Sequence, residues 1–348
     1  MREQINEPSN LTPARLTRIL AERGLLTSGA VATVEWLPTI EASSAYFTSF
    51  RLTYTSSGST DAPTALFLKT FKPHVRLDYG ANEVAFYTTL APAVDGLPIV
   101  RCYDAYLDPN GSACYCLFED VSATHVSAPF NAAPSLRHVQ LALAALAKMH
   151  AAFWQHELVL GVRLERAIAQ ITTDFSQYRQ HYAELVARYA TTLPLLWRDI
   201  FVRYLERAPD LLGARLDQRR ALTLWHSDTH LSNFMYAPLH ARPVYLIDFA
   251  TYRSGWGIRD VAYTLMYTLE PAQRQTVEHE LVQFYHRQLG QAGVADYRWE
   301  HCWDDYRLGV VANLHKPLIN RRSAHAWERV ERGMRAFFDL GCDEILDR

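Results

Sequence analysis

The sequence predicts an α+β chain of two lobes, the first rich in β-strand and the second mainly helical. Three observations carry that expectation. Between Val31 and Phe71 the chain is written in β-branched and aromatic runs: Val31 to Val34, Tyr46 to Tyr54 and Leu66 to Phe71. From Ser135 to Trp154 apolar residues recur at three- and four-residue spacing, with Val139, Leu143, Leu146, Met149 and Phe153 on one helical face. Inside the helical half, two short apolar runs, Leu222 to Trp225 and Val244 to Ile247, each deliver an aspartate, Asp228 and Asp248. A chain of 348 residues is long enough to bury a core in each of two lobes.

Taken in order, Thr12 and Pro13 open the first helix as N-cap and first helical residue, Leu16, Ile19 and Leu20 give it an apolar face, and Gly24 ends it. The runs Tyr46 to Tyr54 and Leu66 to Phe71 flank a turn-rich segment, 56–61, and read as an antiparallel hairpin. Residues 78–91 read as a helix with Glu83 near its start. Proline-punctuated segments follow, and Tyr115 to Phe118 form a further strand ending at Glu119 and Asp120. The lobes divide as 1–120 and 121–348, with a connector near 117–123 and a helical insert over about 160–220 in the second. No repeat or low-complexity tract interrupts them.

Composition bounds the function. Hydrophobic residues are 49% and charged residues 21%, an ordinary globular balance, and the formal net charge of -2 gives no footing to a nucleic-acid or anionic-membrane partner. The five cysteines are scattered with no C-x-x-C pair, which suits a reducing compartment. The N-terminal residues hold no apolar run of signal-peptide length and no stretch is long enough to span a bilayer, so the expectation is a cytoplasmic protein.

Two constellations carry chemistry. Lys69 stands in an apolar strand, where a cation is costly without a partner, and Glu83 lies fourteen residues on in the next helix. Such a pair is the device that aims an ammonium at nucleotide phosphates; each residue alone also reads as a snorkelling lysine or a helix-terminal acid. The segment His226-Ser227-Asp228-Thr229-His230-Leu231-Ser232-Asn233 spaces a base-type carboxylate and a metal-type amide oxygen by five, and Asp248 follows as a second hard ligand. That order suits Mg-dependent phosphoryl transfer. A rival reading places His226, Asp228 and His230 on one face of an extended strand as a zinc site of a metallohydrolase. Neither G-x-S-x-G nor a Walker motif occurs.

The 225–265 block resembles the H-x-D-x-H-x-x-N and I-D-F signature of the aminoglycoside phosphotransferase and choline kinase group, followed by Gly257-Ile258-Arg259-Asp260-Val261-Ala262-Tyr263. Phe118-Glu119-Asp120-Val121-Ser122 and the helix segment Leu146 to Trp154 are similar to the ecdysteroid-kinase-like branch of that group, and the resemblance runs over roughly 30–267. It implies a bilobal protein-kinase-like fold and transfer of the γ-phosphoryl of ATP, with GTP as the alternative donor, to a small-molecule hydroxyl. By the same resemblance Asp228 is the base or orienting carboxylate, Asn233 and Asp248 hold Mg, and Lys69, paired with Glu83, contacts phosphates. The connector at Glu119 meets the adenine through its backbone. His226, His230 and Asp260 fall to scaffold, the aspartate bracing the loop through hydrogen bonds.

The chain departs from the family pattern at two places. The loop expected over the phosphates, 40–46, has no glycine, leaving backbone N–H groups and the Ser43 and Ser44 hydroxyls as donors. Phe249-Ala250 stands after the metal aspartate instead of Phe-Gly. Asp260 follows Asp248 by only twelve positions, too short a gap for a peptide-binding platform, so a small acceptor is favoured over a protein. Asp304 and Asp305 read either as a site for a cationic substrate or as a solvated helix face. The branch resemblance and the aromatic content lean toward a bulky apolar alcohol as acceptor. A catalytically silent binding module with this fold is the remaining alternative, and nothing bears on oligomeric state.

Overall fold

The computed structural model describes residues 11–55, 62–72, 77–110, 113–128, 135–238 and 243–347; the turn expected at 56–61 lies outside them. The chain divides into two compact units. One comprises Met1–Asp95, Ile99–Val126 and Ala237–Thr251, the other Gly96–Pro98, Ser127–Tyr236 and Tyr252–Arg348. The first unit thus runs on past 120 and takes in the segment that carries Asp248.

In the first unit an antiparallel sheet is formed by β1 (Val31–Trp36), β2 (Ile40–Glu41), β3 (Ala45–Tyr54), β4 (Ala65–Phe71), β5 (Cys102–Leu107) and β6 (Cys114–Glu119). The order is β1-β3-β4-β6-β5, with β2 folded back on β3. The expected hairpin is β3–β4, in a register that pairs Phe47 with Lys69 and Phe50 with Leu66. Alternation along β4 sends Leu66 and Leu68 into a core with Leu16, Leu20, Phe50, Leu52 and Leu117, while Lys69 takes the other face. The first helix, Pro13–Glu22, starts where its sequence says: the Thr12 hydroxyl accepts the Arg15 N–H at 3.3 Å.

Three local expectations are corrected. β5 lies in the stretch read as proline-punctuated connection; its apolar pattern is broken by Asp104, which is buried and accepts the Tyr115 hydroxyl at 2.5 Å. The loop 40–46 holds a strand, Ile40–Glu41 pairing with Tyr46 and Phe47, closed by an Ala42 N–H to Ala45 carbonyl bond of 2.9 Å. Glu83 is not near its helix start: the α-helical part runs Leu77–Ala85 and continues through a π-helical turn, Phe86–Leu90.

The second unit is helical. Its helices include Leu136–Ala152, capped by Ser135 on the His138 N–H, then Val162–Arg188 and Leu195–Asp217 in the insert, then Ile258–Thr268, Pro271–Gln291, Trp299–Ala312 and Ala326–Asp339. Pro209 sits inside Leu195–Asp217 and has no N–H to give the Leu205 carbonyl four residues back. Arg179 donates to that carbonyl instead, at 2.9 Å, so the helix carries the proline without an orphaned acceptor. A two-stranded antiparallel ribbon, Thr223–Trp225 against Arg253–Gly255, is set among these helices. No helix among the described residues is long and apolar enough to cross a membrane.

Gly80 lets the Glu83 helix lie close on β6. A Cβ there would stand 2.1 Å from the Cys114 sulfur and 3.2 Å from the Phe71 ring. Gly80→Ala is expected to destabilise the protein by roughly 1–3 kcal/mol through overpacking, and adding Cys114→Ala should recover most of the loss. Urea unfolding of the two variants measures both effects.

Candidate active site

The two constellations take shape separately, one in each unit. In the first, Lys69 on β4 is buried at 5% exposure and its Nζ donates to Glu83 Oε2 at 2.5 Å and to Asp248 Oδ1 at 2.9 Å. Burial opposes the ammonium charge, but the two carboxylates outweigh it and hold Lys69 above the ordinary lysine range. Burial pushes Glu83 up, to about 7, against the pull of Lys69. The Phe71 ring lies 4.9 Å from the ammonium and adds a cation–π contact. Asp248 keeps a partly exposed side chain and a left-handed backbone, φ 67°, which an L-residue adopts only where its surroundings impose it.

Those surroundings are aromatic and backbone contacts. Phe249 stacks on Phe86 with centroids 3.7 Å apart, the Asn82 amide donates to the Ala250 carbonyl at 3.2 Å, and Ile99 bridges Leu246. His125 lies against Tyr245 and hydrogen-bonds the Pro243 carbonyl at 3.0 Å. The segment bearing Asp248 is therefore docked beside Lys69, 179 positions away in sequence.

In the second unit the chain leaves the ribbon at Trp225 and turns sharply. Ser227 is left-handed, φ 75°, and Asp260 from helix Ile258–Thr268 holds the turn: its carboxylate accepts the His226 N–H at 2.7 Å and the Ser227 N–H at 2.9 Å. His150 Nε2 meets the same carboxylate at 3.2 Å and its Nδ1 pairs with the Tyr285 hydroxyl at 2.8 Å. Beyond the turn, Asp228 receives the Tyr263 hydroxyl on Oδ1 at 3.2 Å and lies 3.4 Å from His230 Nε2. Partial burial works against its charge, but His230, Lys316 and His226 outweigh it and hold the carboxyl well below the ordinary range. Asn233, in the turn Leu231–Asn233, gives its amide N–H to the Asp228 carbonyl at 2.8 Å, which orients the amide relative to the turn.

The other candidates fall as follows. Ser43 is exposed at the tip of the β2–β3 hairpin, and the Ser44 carbonyl accepts the Lys72 N–H at 3.1 Å. Glu119 ends β6 with its side chain exposed and its N–H spent on the Arg101 carbonyl at 2.9 Å. Asp305 is not available to a cationic substrate, nor is it a solvated face: it is buried under a two-pronged bond from Arg215 and the Tyr297 hydroxyl. The extended strand that a His226/Asp228/His230 metal site needs is absent. The chain is turned at Ser227, and His226 Nδ1 faces the Asp228 N–H at 3.3 Å. Among the described residues no group of three or more His, Cys, Asp or Glu side chains is gathered for a metal.

With this geometry in view, the model of the Ecdysteroid kinase-like family matches residues 69–294, more than half of the chain. The chain belongs to the ecdysteroid kinase-like family. Its fold is the protein-kinase-like one. A putative aminoglycoside phosphotransferase from Ralstonia eutropha superposes with a TM-score of 0.54 at 15% identity, over 94% of this chain and 97% of that one. An ethanolamine kinase from Plasmodium vivax does so at 0.50 and 9% identity, over 96% and 89%. No curated protein matches the sequence.

Three residues of this ecdysteroid kinase-like chain were not singled out as site residues by sequence. His150 and Tyr263 lie inside segments that carry the resemblance, and the fold turns them onto Asp260 and Asp228. Lys316 had no motif around it; it is buried and its Nζ donates to the Ser227 carbonyl. Asp260→Ala is expected to cost about 3 kcal/mol or more, because three donors lose a buried acceptor at once. Chemical denaturation checks this, and loss near zero would remove Asp260 as the brace of the turn.

Proposed function

We propose that this chain is an ATP- and Mg-dependent phosphotransferase that moves the γ-phosphoryl group to a hydroxyl of a small molecule. The observation that carries the reading is the buried Lys69 ammonium held between Glu83 and Asp248. A strand lysine paired with a helix glutamate, here also touching the candidate metal aspartate, is the phosphate-aiming device of kinase-like sites. Membership of a kinase-like family supports it.

In this reading Lys69 keeps its charge and presents it to the nucleotide phosphates, while Glu83 limits where the ammonium can point. Asp228, held ionised by His230, Lys316 and His226, accepts the hydrogen bond of the attacking hydroxyl and takes its proton as the new bond forms. Asn233 and Asp248 would hold Mg: the bond from the Asn233 N–H to the Asp228 carbonyl orients that amide, and Asp248 keeps a partly exposed carboxylate. When bound, Mg neutralises charge on the phosphates. The nucleotide-binding work falls to the N-terminal lobe with the connector at Glu119 and the Ser43–Ser44 tip, and the acceptor to the helical lobe. The five cysteines are all free thiols, which supports a cytoplasmic setting.

An ATP-consumption screen against a library of hydroxyl compounds, with Mg and with Asp228→Ala as the blank, tests the reading and finds the acceptor. Asp228→Ala should lower turnover by roughly 10²–10⁴-fold with nucleotide binding nearly intact. Asp248→Ala should damage both binding and turnover. Full turnover by Asp228→Ala with the true acceptor would overturn the role given to that carboxylate.

A further inference from the structure

Lys316 is a buried lysine that the proposed mechanism uses only as background charge, yet its position is specific. Ser227 carries the left-handed strain of the turn, and its two backbone groups are both clamped. Asp260 accepts a hydrogen bond from the N–H at 2.9 Å, and the Lys316 ammonium donates a hydrogen bond to the carbonyl. A charge-assisted bond to each side of one residue fixes the peptide that leads into Asp228. The ammonium also lies over the Tyr263 ring, 4.5 Å from its centroid, and Tyr263 is the residue whose hydroxyl reaches Asp228 at 3.2 Å.

We propose that Lys316 is a positioning residue of the catalytic loop, holding the Ser227 carbonyl and opposing the Asp228 charge, so that turnover requires its ammonium form. The inference rests on the phosphotransferase reading. Burial pushes Lys316 down to about 8, with Arg259 and Arg329 adding to the fall and Asp228 and Asp260 resisting it. The groups around it are Asp228 from the loop and Arg259, Asp260 and Tyr263 from helix Ile258–Thr268. Arg329 comes from helix Ala326–Asp339, His315 from its own turn, and Tyr178, stacked on His315 at 5.1 Å, from helix Val162–Arg188. The lysine therefore loses its proton inside an accessible pH range, unlike an arginine in its place.

The test compares wild type, Lys316→Arg and Lys316→Met between about pH 6 and about pH 10, with unfolding followed over the same range. Wild-type kcat should fall as pH rises through about 8, where the ammonium is lost. Lys316→Arg should move that fall upward. Lys316→Met should lose roughly tenfold to a hundredfold in kcat near neutrality with nucleotide KM unchanged. An identical alkaline fall in Lys316→Arg, or wild-type kcat in Lys316→Met, overturns the proposal while leaving the phosphotransferase reading standing.

The unfolding arm needs no turnover. Above the depressed folded pKa the unfolded chain holds more protons than the folded one, so wild type should gain stability relative to Lys316→Met as pH rises through about 8. In Asp228→Asn, which leaves Lys316 in place even if the methionine variant fails to fold, that gain should begin at lower pH because the opposing charge is gone. An unmoved onset overturns the coupling. A moved onset, together with a wild-type protein that phosphorylates no acceptor in the ATP-consumption screen, supports the coupling and counts against the phosphotransferase reading instead.

Discussion

A left-handed serine one residue ahead of Asp228 is the constraint on which the loop of the helical unit depends. An L-residue at φ 75° costs of order 1–3 kcal/mol and persists only where its neighbours over-determine it. Here the buried Asp260 carboxylate accepts the N–H groups of His226 and Ser227 and the ring of His150. Its own helix is keyed to the loop by Thr264, whose hydroxyl reaches the carbonyls of Thr229 and Asp260 at 2.9 Å. The chain of contacts then passes through His150, whose carbonyl takes the Thr223 hydroxyl at 2.7 Å, back to the ribbon from which the loop springs. Gly257 belongs to the same lock: a Cβ there would meet the His150 ring at 2.6 Å.

The sheet-bearing unit solves a different problem, that of keeping a charge buried. An unpaired ammonium at the position of Lys69 would lose its proton or destabilise the strand. Two carboxylates prevent this, one from the neighbouring helix and one from a segment far along the chain, and Lys69 stays charged. The price is a left-handed Asp248, which the Phe249–Phe86 stack and the Asn82 bond to Ala250 maintain. In both units, then, a left-handed residue sits at or beside a candidate site carboxylate, Asp248 itself or Asp228, and the contacts around it sustain it.

Much of the fold could be read from periodicity and end signals. The Thr12 cap, the β3–β4 hairpin, the helix 136–152 and a helical insert within 160–220 are where end signals, β-branched and aromatic runs, apolar spacing and composition put them. Reading failed where a buried polar residue found a partner that no local pattern reveals. Asp104 hid a strand because its partner, the Tyr115 hydroxyl, comes from the next strand. Asp305 read as a cation site or a solvated helix face because Arg215, its partner, is 90 positions away. Lys316 looked like any lysine because its acceptor is a backbone carbonyl 89 positions earlier.

What the sequence by itself determined is the chemical inventory: which oxygen and nitrogen groups are present, in what order, and the five-residue interval from Asp228 to Asn233. Local spacing suffices for that, since a turn of fixed length sets where its own side chains can reach. The tertiary structure alone decided which charges share a partner. It added Asp248 to the expected Lys69–Glu83 pair, gave Asp260, the expected brace, the N–H groups of His226 and Ser227, spent Asp305 on Arg215, and brought Lys316 to Ser227. Each of these depends on burial making an unpaired polar group costly, a penalty that exists only once the chain has closed around it.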